Sequence, residues 1–181
     1  MNYSVNWLEQ QIRNNIAVEY LFFWGHTPNQ PNSIDKSCFS QWYPSPFSVE
    51  GITYFTAEHW MMAKKAELFN DQQIFEKIIT EPKPGAVKAF GREIKNFDDE
   101  IWKAAAFEIV VEGNRHKFSQ NNLIKEYLVN TGNKILAEAS PTDFIWGIGL
   151  AQDNEDATNP DSWKGTNLLG FALMEVRDLL K

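Results

Sequence analysis

Two charged residues, Glu58 and Lys65, have types and a spacing that could do chemistry together. Both belong to a predicted helix that begins after the N-cap residue Thr56 and ends near Phe69. At about 100° per residue, Lys65 falls within roughly 60° of Glu58, two helical turns along the same stripe. The stripe is otherwise apolar, with Met61, Met62 and Phe69. Buried charges of this kind are costly, so they are usually paired or functional.

The opposite side of this helix is predicted to face solvent. Its residues are mostly polar or charged, and they are Trp60, Lys64, Glu67 and Asp71. Lys64 therefore points away from the stripe, although it directly precedes Lys65 in the chain.

The helical pattern leaves two interpretations of the stripe open. In the first, Glu58 and Lys65 form structural ion pairs elsewhere, and Lys65 extends its amine to water. In the second, both residues face one enclosed pocket. There the helix dipole would favour the ionised form of Glu58, and an apolar setting would lower the pKa of Lys65 and make it an amine nucleophile.

Two further clusters allow both a functional and a structural interpretation. Gly91 and Arg92, with Lys88 one turn earlier, form either an anion site or a surface basic cluster. Asp143 and Trp146, before the Gly-rich turn at Gly147, form either a base-stacking pair or a packed corner. Two more cations, Arg115 and Lys117, suit an anion site or a solvated helix end, and Asn167 is explained as an N-cap without any ligand.

Composition excludes several classes of function. The net charge of −7 disfavours tight, nonspecific binding to nucleic acid or anionic membrane. No apolar stretch approaches the roughly 20 residues that span a bilayer. The three His residues have no metal-ligand spacing, and no Ser lies in a nucleophile-elbow motif. A single cysteine, Cys38, and the lack of a leader-like segment predict a reducing cytoplasm.

The 181 residues suit one domain, and no linker or repeat interrupts them. The predicted fold class is α+β, helix-dominant, around a small antiparallel sheet. Predicted helices cover residues 5–19, 56–69, 71–80, 86–91, 98–120, 122–130 and 168–180. Predicted strands cover residues 20–24, 38–43, 47–49, 52–54 and 135–139, with a short extended piece at 145–149, and Glu50-Gly51 forms a hairpin turn.

An ordered series of motifs resembles the NADAR family, the YbiA-like N-glycosidases. The matching segments are residues 23–26 (FWGH), 39–47 (FSQWYPSPF), 54–66 (YFTAEHWMMAKKA), 91–92 (GR), 113–121 (GNRHKFSQN), 131–132 (TG), 138–149 (EASPTDFIWGIG) and 163–170 (WKGTNLLG). Each segment alone is a weak signal, but their order across nearly the whole chain is highly specific. One departure is Gln41-Trp42, where many members have Asn-Phe.

The resemblance implies a single α+β domain over residues 1–181, without metal or organic cofactor. It implies hydrolysis of the N-glycosidic bond in phosphoribosylamino-pyrimidine intermediates of riboflavin biosynthesis, with release of ribose 5-phosphate. An alternative from the same family is removal of ADP-ribose from modified guanine in nucleic acid. A second alternative is a nucleotide or ADP-ribose sensor without turnover. The substrate is thus a small phosphoribosyl or ADP-ribosyl compound, with nucleic acid only as a modified substrate.

The resemblance also carries roles to individual positions. Carried over by motif, the catalytic lysine is Lys65 and the paired acid is Glu58, and Lys65 either forms an imine with the opened sugar or orients the ribose. We expect Asp143 to be a third catalytic residue that shares proton transfer and charge stabilisation with Glu58, because two carboxylates are usual in glycosidic cleavage. The matched motifs and the pattern of polar and aromatic residues predict these substrate-binding positions: Trp24, His26, Lys88, Arg92, Trp102, Trp146, Gly147, Trp163 and Asn167. No metal ligands are expected.

Overall fold

A computed structural model describes residues 1–181. The chain packs as two compact units. Unit 1 combines Met1–Ser40 with Leu123–Lys181, and unit 2 is the contiguous stretch Gln41–Asn122. The single domain expected from the sequence stays a prediction.

Seven α-helices and four short strands confirm a mixed, helix-dominant fold. The helices are α1 (Val5–Arg13), α2 (Ala57–Leu68), α3 (Gln72–Thr80), α4 (Pro84–Phe90), α5 (Asp99–Ser119), α6 (Asn122–Val129) and α7 (Leu168–Leu180). The strands are β1 (Tyr20–Phe23), β2 (Phe47–Val49), β3 (Ile52–Tyr54) and β4 (Ile135–Glu138), and two short 3₁₀ helices cover Lys36–Phe39 and Pro160–Ser162. No helix is long and apolar enough to cross a membrane.

The strands form two separate pairs. In unit 2, β2 and β3 are antiparallel, and their tight turn places Glu50 at φ 52° and Gly51 at φ 83°. Two successive residues of positive φ match the right-handed twist of the strands, as in the favoured hairpin turns. In unit 1, β1 and β4 are parallel, so the antiparallel prediction holds only for the hairpin. A parallel pair needs a long crossover, and here all of unit 2 lies between the two strands in sequence.

Helix α2 is buried on nearly every side. It packs against α3, α4 and α5 within unit 2. Its buried residues include His59 and Trp60 as well as Glu58, Met61 and Met62 of the predicted stripe, while Lys65 is half-buried. The prediction of a wet opposite face was therefore wrong for Trp60 and Asp71, which are only 2% and 7% exposed. A helix enclosed by three others cannot be judged from a one-sided pattern, because tertiary packing decides which residues meet solvent.

A glycine on α5 makes room for Trp60. The indole Nε1 donates to the Ile109 carbonyl oxygen over 2.9 Å. A Cβ at Gly113 would lie only 2.3 Å from Trp60 Cδ1, so the absence of a side chain lets the ring lie against α5. The spacing between α2 and α5 therefore depends on position 113.

In unit 1, α7 is held against β4 by the fully buried Asn167. Its Nδ2 donates to the Leu136 carbonyl oxygen, and its Oδ1 accepts from the Glu138 N–H, each over 3.0 Å. Asn167 is the N-cap residue, as predicted, but its side chain makes no capping bond to the helix. A Cβ at Gly170 would lie 2.0 Å from the Leu136 carbonyl oxygen, so helix and strand are in close contact.

Three local predictions need correction. The strand predicted at 38–43 is replaced by the 3₁₀ helix Lys36–Phe39, because the Asp35 side chain caps it by accepting from the Ser37 N–H. Helix α1 ends at Arg13 rather than residue 19, since Asn15 adopts φ 58°. Residues 145–149 form a bent, irregular segment rather than an extended piece.

Candidate active site

The amine of Lys65 is enclosed by backbone and aromatic rings of unit 2. Its Nζ donates to the Gly91 carbonyl oxygen over 2.9 Å. The same atom lies 4.2 Å from the ring centroid of Phe97 and 5.4 Å from that of Trp102. The amine therefore has one hydrogen-bond acceptor and two π faces around it, where water would otherwise solvate it.

This enclosure alters the acidity of the amine. Burial lowers the pKa of Lys65 below that of an ordinary lysine, while the negative charges of Asp99 and Glu58 act in the opposite direction. Desolvation disfavours the ammonium form, and it is the largest of these effects. A larger fraction of neutral amine is what nucleophilic attack requires.

The neighbouring Lys64 serves as an internal comparison. Its Nζ forms an ion pair with Glu67 over 2.7 Å and lies 4.7 Å from the Trp60 ring centroid. Lys65, in contrast, forms no salt bridge, so the interpretation of Lys65 as a structural ion pair finds no support. The two adjacent lysines have separate surroundings, as the helical pattern predicts.

Glu58 lies in the first turn of α2 and is only 5% exposed. Its backbone N–H donates to the Gln41 carbonyl oxygen over 2.9 Å. The Thr56 hydroxyl, the expected cap, instead contacts His59 Nδ1 over 2.8 Å. The N-terminal end of the helix favours a negative charge at this position. A buried carboxylate and a desolvated amine therefore lie two turns apart on one helix.

Gln41 is itself held by α5. Asn114 is fully buried, and its Nδ2 donates to Gln41 Oε1 and to the Val110 carbonyl oxygen, each over 2.9 Å. Gln41 thus contacts the backbone of Glu58 through its main chain and Asn114 through its side chain.

The predicted anion site at Arg92 and Lys88 lies on the surface, with both side chains accessible to solvent. Arg92 and Lys88 are both exposed, and neither side chain makes a hydrogen bond or ion pair. Arg92 directly follows Gly91, whose carbonyl oxygen binds the Lys65 amine. Gly91 packs closely on Met62, since a Cβ there would lie 2.1 Å from Met62 Sδ and the thioether would have to move. Lys88 Nζ lies 5.9 Å from the Trp42 ring centroid.

One predicted cation has a different environment from the one expected. Lys117 was assigned to an anion site or a solvated helix end, but it is fully buried on α5. Its Nζ lies 5.0 Å from the ring centroid of Phe118 and 5.9 Å from that of Tyr43. Arg115 alone is exposed.

The other predicted cluster lies in unit 1. Asp143 Oδ1 accepts from the N–H groups of Ile145 and Trp146, over 3.0 and 2.7 Å. This carboxylate shapes its own loop, and Trp146 is half-buried beside it in sequence. Gly147 is buried, and its carbonyl oxygen accepts from the Asn167 N–H. The catalytic role of Asp143 and substrate binding at Trp146 and Gly147 stay predictions.

The remaining predicted residues of unit 1 differ in exposure. Trp24 is 60% exposed and follows β1, and His26 is also exposed. Trp163 is half-buried, donates from Nε1 to the Ala157 carbonyl oxygen over 2.8 Å and packs on the core beside β4. Both polar atoms of the Asn167 side chain hydrogen-bond to the backbone of β4. Substrate binding at these four residues stays a prediction.

Three residues around Glu58 and Lys65 were missed by the sequence analysis. Phe97, Gln41 and Asn114 lie far from α2 in sequence, so no helical spacing links them to it. Signals for all three were available: Gln41 and Asn114 lie within the motif segments 39–47 and 113–121, and Phe97 is a large apolar residue between Asn96 and Asp98 in a polar turn.

A sequence model of the NADAR domain matches residues 22–181, which is most of the chain. The chain belongs to the NADAR family. The resemblance drawn from the ordered motifs is thereby confirmed, and the NADAR match includes every predicted site residue.

Several NADAR relatives are similar over most of their length. An N-glycosidase of Acanthamoeba polyphaga mimivirus is 44% identical over 88% of this chain and 95% of its own. The N-glycosidase YbiA of Escherichia coli is 30% identical over 81% of each chain. The NMR structure of Escherichia coli YbiA matches with a TM-score of 0.71 at 27% identity, over 90% of this chain and 84% of that one. The predicted class of enzyme, a hydrolase of N-glycosyl compounds, is confirmed at the level of this family.

Proposed function

We propose that this protein cleaves the N-glycosidic bond of phosphoribosylamino-pyrimidine intermediates of riboflavin biosynthesis and releases ribose 5-phosphate. The observation that carries the proposal is the environment of the Lys65 amine, which Phe97 and Trp102 shield from water. Lys65 lies on helix α2, which also bears the buried Glu58. Family membership adds the class of bond, since similar proteins are named N-glycosidases.

Glu58 stabilises the positive charge that develops at the anomeric carbon as the bond to the base breaks. A carboxylate held in a dry setting interacts more strongly with such a charge than one in water. It also takes part in proton transfer, as carboxylates do in glycosidic cleavage generally.

Lys65 attacks the anomeric carbon and forms an imine with the opened sugar. The attack requires the neutral amine, which burial favours. The C–N bond to the base breaks as the lysine C–N bond forms, and the base leaves with a proton. The C1–O4′ bond of the sugar ring then breaks as the lysine nitrogen gives a proton to O4′, and this ring opening forms the imine. Water then hydrolyses the imine and restores the amine.

Arg92 binds the phosphate of the substrate, assisted by Lys88. Both cations are exposed and unpaired, so they are available to an anion without first breaking an ion pair. An arginine is suited to bidentate contact with phosphate oxygens.

Release of ADP-ribose from modified guanine uses the same attack at an anomeric carbon, and it is the competing function. The net charge of −7 disfavours a nucleic-acid substrate relative to a small phosphoribosyl compound. A sensor without turnover would have no need of a desolvated lysine.

The test is incubation of the protein with phosphoribosylamino-pyrimidines and, separately, with an ADP-ribosylated guanine oligonucleotide. We expect release of ribose 5-phosphate to be the faster reaction. Faster release of ADP-ribose would overturn the substrate assignment, and no release from either would overturn the enzymatic proposal.

Borohydride reduction during turnover tests the imine. We expect a sugar adduct on Lys65 in the native protein and in Lys64→Arg, and none in Lys65→Arg, which keeps the positive charge. Active enzyme without any adduct would leave Lys65 only an orienting role.

A further inference from the structure

We infer that the side-chain amide of Gln41 donates a hydrogen bond to a ribose hydroxyl of the substrate beside Glu58, with Asn114 as the residue that positions it. This inference rests on the proposed function, because it names a specificity-determining contact of the same site. Both residues lie within quoted motif segments, residues 39–47 and 113–121, but the sequence alone assigned no role to either amide.

The orientation of both amides follows from one carbonyl group. The Val110 carbonyl oxygen can only accept, so the Asn114 atom 2.9 Å from it must be the NH₂ nitrogen. The same nitrogen lies 2.9 Å from the Gln41 side chain. The Gln41 atom that faces it must therefore be the oxygen, Oε1, because two NH₂ groups cannot hydrogen-bond to each other.

The NH₂ group of Gln41 is consequently left to point away from Asn114. It makes no hydrogen bond within the protein, and it is not among the buried polar atoms that lack a partner. Gln41 is half-buried, so this donor is accessible from solvent. Its position is fixed all the same, by the main-chain bond to Glu58 and the side-chain bond to Asn114.

The hydrogen bonding of Asn114 is not the arrangement that would give the highest folding stability. Its Oδ1 is buried without any hydrogen-bond partner, while both of its N–H groups are used. Buried unsatisfied acceptors are uncommon and costly. The Asn114 amide therefore binds Gln41 and Val110 through its nitrogen while its oxygen stays buried without a hydrogen bond, and this supports a positioning role.

Glu58, whose backbone N–H donates to the Gln41 carbonyl oxygen, brings a carboxylate to this end of α2, and its charge limits the chemistry of the ligand. A phosphate beside Glu58 would be repelled, so a neutral acceptor is the partner that fits the Gln41 donor. A hydroxyl group can donate to a carboxylate and accept from an amide NH₂ at the same time. In a phosphoribosyl compound, the ribose hydroxyls have this property.

The test compares kcat/KM for the phosphoribosylamino-pyrimidine with that for its 2′-deoxy and 3′-deoxy analogues. The variant Gln41→Glu keeps an oxygen that accepts from Asn114 but replaces the donor by a charged carboxylate oxygen, and Gln41→Met removes both the acceptor and the donor without adding charge. We expect each variant to lose about 10- to 100-fold on the ribosyl substrate and less than about threefold on the analogue that lacks the contacted hydroxyl. Comparison of ratios cancels the different intrinsic lability of the deoxy compounds.

An equal loss on all three substrates, or no loss on any, would overturn the inference. Asn114→Ala should reproduce the selective loss in weaker form, and thermal denaturation shows whether that variant is folded. Failure of the native protein to cleave any of these compounds would refute the proposed function instead, so the two failures are distinguishable.

Discussion

The Nζ of Lys65 lies 4.2 Å from the ring centroid of Phe97, and the ring covers the amine although it is itself 44% exposed. Phe97 also packs edge-on against Phe69, with 5.2 Å between ring centroids. A side chain at the rim of unit 2 thus keeps water from the amine. The acidity of Lys65 depends on that cover.

Replacement of Phe97 should therefore change the pH dependence of imine formation. In Phe97→Ala, water reaches the ammonium, so the pKa of Lys65 rises toward its ordinary value and trapping at pH about 8 decreases. Phe97→Leu keeps the cover but removes the π face that favours the cation, so its pH midpoint should not rise. The measurement is the yield of borohydride-reduced adduct on Lys65 across pH. A shift of both variants in the same direction would contradict this explanation.

Glu58→Gln should lower kcat by about 10²- to 10⁴-fold, because an amide cannot stabilise the developing positive charge or transfer the proton. The side chain keeps its size, so the protein should remain folded by circular dichroism. Glu67→Gln on the same helix is the matched control: Glu67 is exposed and binds only Lys64. Near-native turnover of Glu58→Gln would remove Glu58 from the mechanism.

Stability should decrease in mild acid because of His59. Its Nε2 lies 2.7 Å from the Glu81 carbonyl oxygen and therefore carries the proton, while Nδ1 accepts from the Thr56 hydroxyl. The imidazole is neutral, and burial lowers its pKa. As pH falls through about 6.5, the unfolded chain binds a proton before the folded one does, so the free energy of unfolding decreases until the folded pKa is reached.

The slope in that window is at most about 1.4 kcal/mol per pH unit, and each kcal/mol corresponds to roughly 2–4 °C in Tm. Thermal denaturation between pH 7.5 and 5 measures it. His59→Gln keeps one donor and one acceptor but does not titrate, so its Tm should fall less over the same range. Parallel curves for the two proteins would exclude His59 as the source, leaving groups such as His116, whose pKa burial also lowers.

Gly113→Ala should destabilise the protein despite the better helix propensity of alanine. The added methyl group would lie 2.3 Å from Trp60 Cδ1, and overpacking of this kind costs about 1–3 kcal/mol, against a gain of roughly 0.5–1 kcal/mol from propensity. Gly85→Ala is the control within α4, since its Cβ would meet Trp42 at an ordinary 3.5 Å. Chemical denaturation should separate the two variants, and equal stabilities would show that the indole moves without cost.

Local signals predicted many elements from the sequence. Helix α7 and the hairpin agree with their predicted bounds, because periodicity and the Glu50-Gly51 turn act over a few residues. Asp98 caps α5 at its predicted start, through bonds from the N–H groups of Glu100 and Ile101. The strand predicted for the aromatic run after Cys38 was wrong, since the local cap at Asp35 outweighs β propensity there.

Only the part of the candidate site that lies on a single helix, α2, was predictable from the sequence. Glu58 and Lys65 share a face of α2, and the same spacing separated Lys65 from Lys64. The cover by Phe97 and the link from Asn114 to Gln41 join segments distant in sequence, so packing alone creates them. The burial of Trp60 and Lys117 was missed for the same reason. The helical pattern predicted that both side chains face solvent, but the elements packed against α2 and α5 enclose them.

The two-part composition of unit 1 has a consequence for the synthesis of the protein. Residues 41–122 emerge from the ribosome as a contiguous stretch and have their partners at hand. Strand β1 is made before them, yet its parallel partner β4 and helix α7 are translated only afterwards. Until then the nascent chain carries an aromatic strand with unpaired backbone groups, and such a strand is prone to aggregation. Chaperone demand should therefore be concentrated in the interval between the translation of β1 and that of β4.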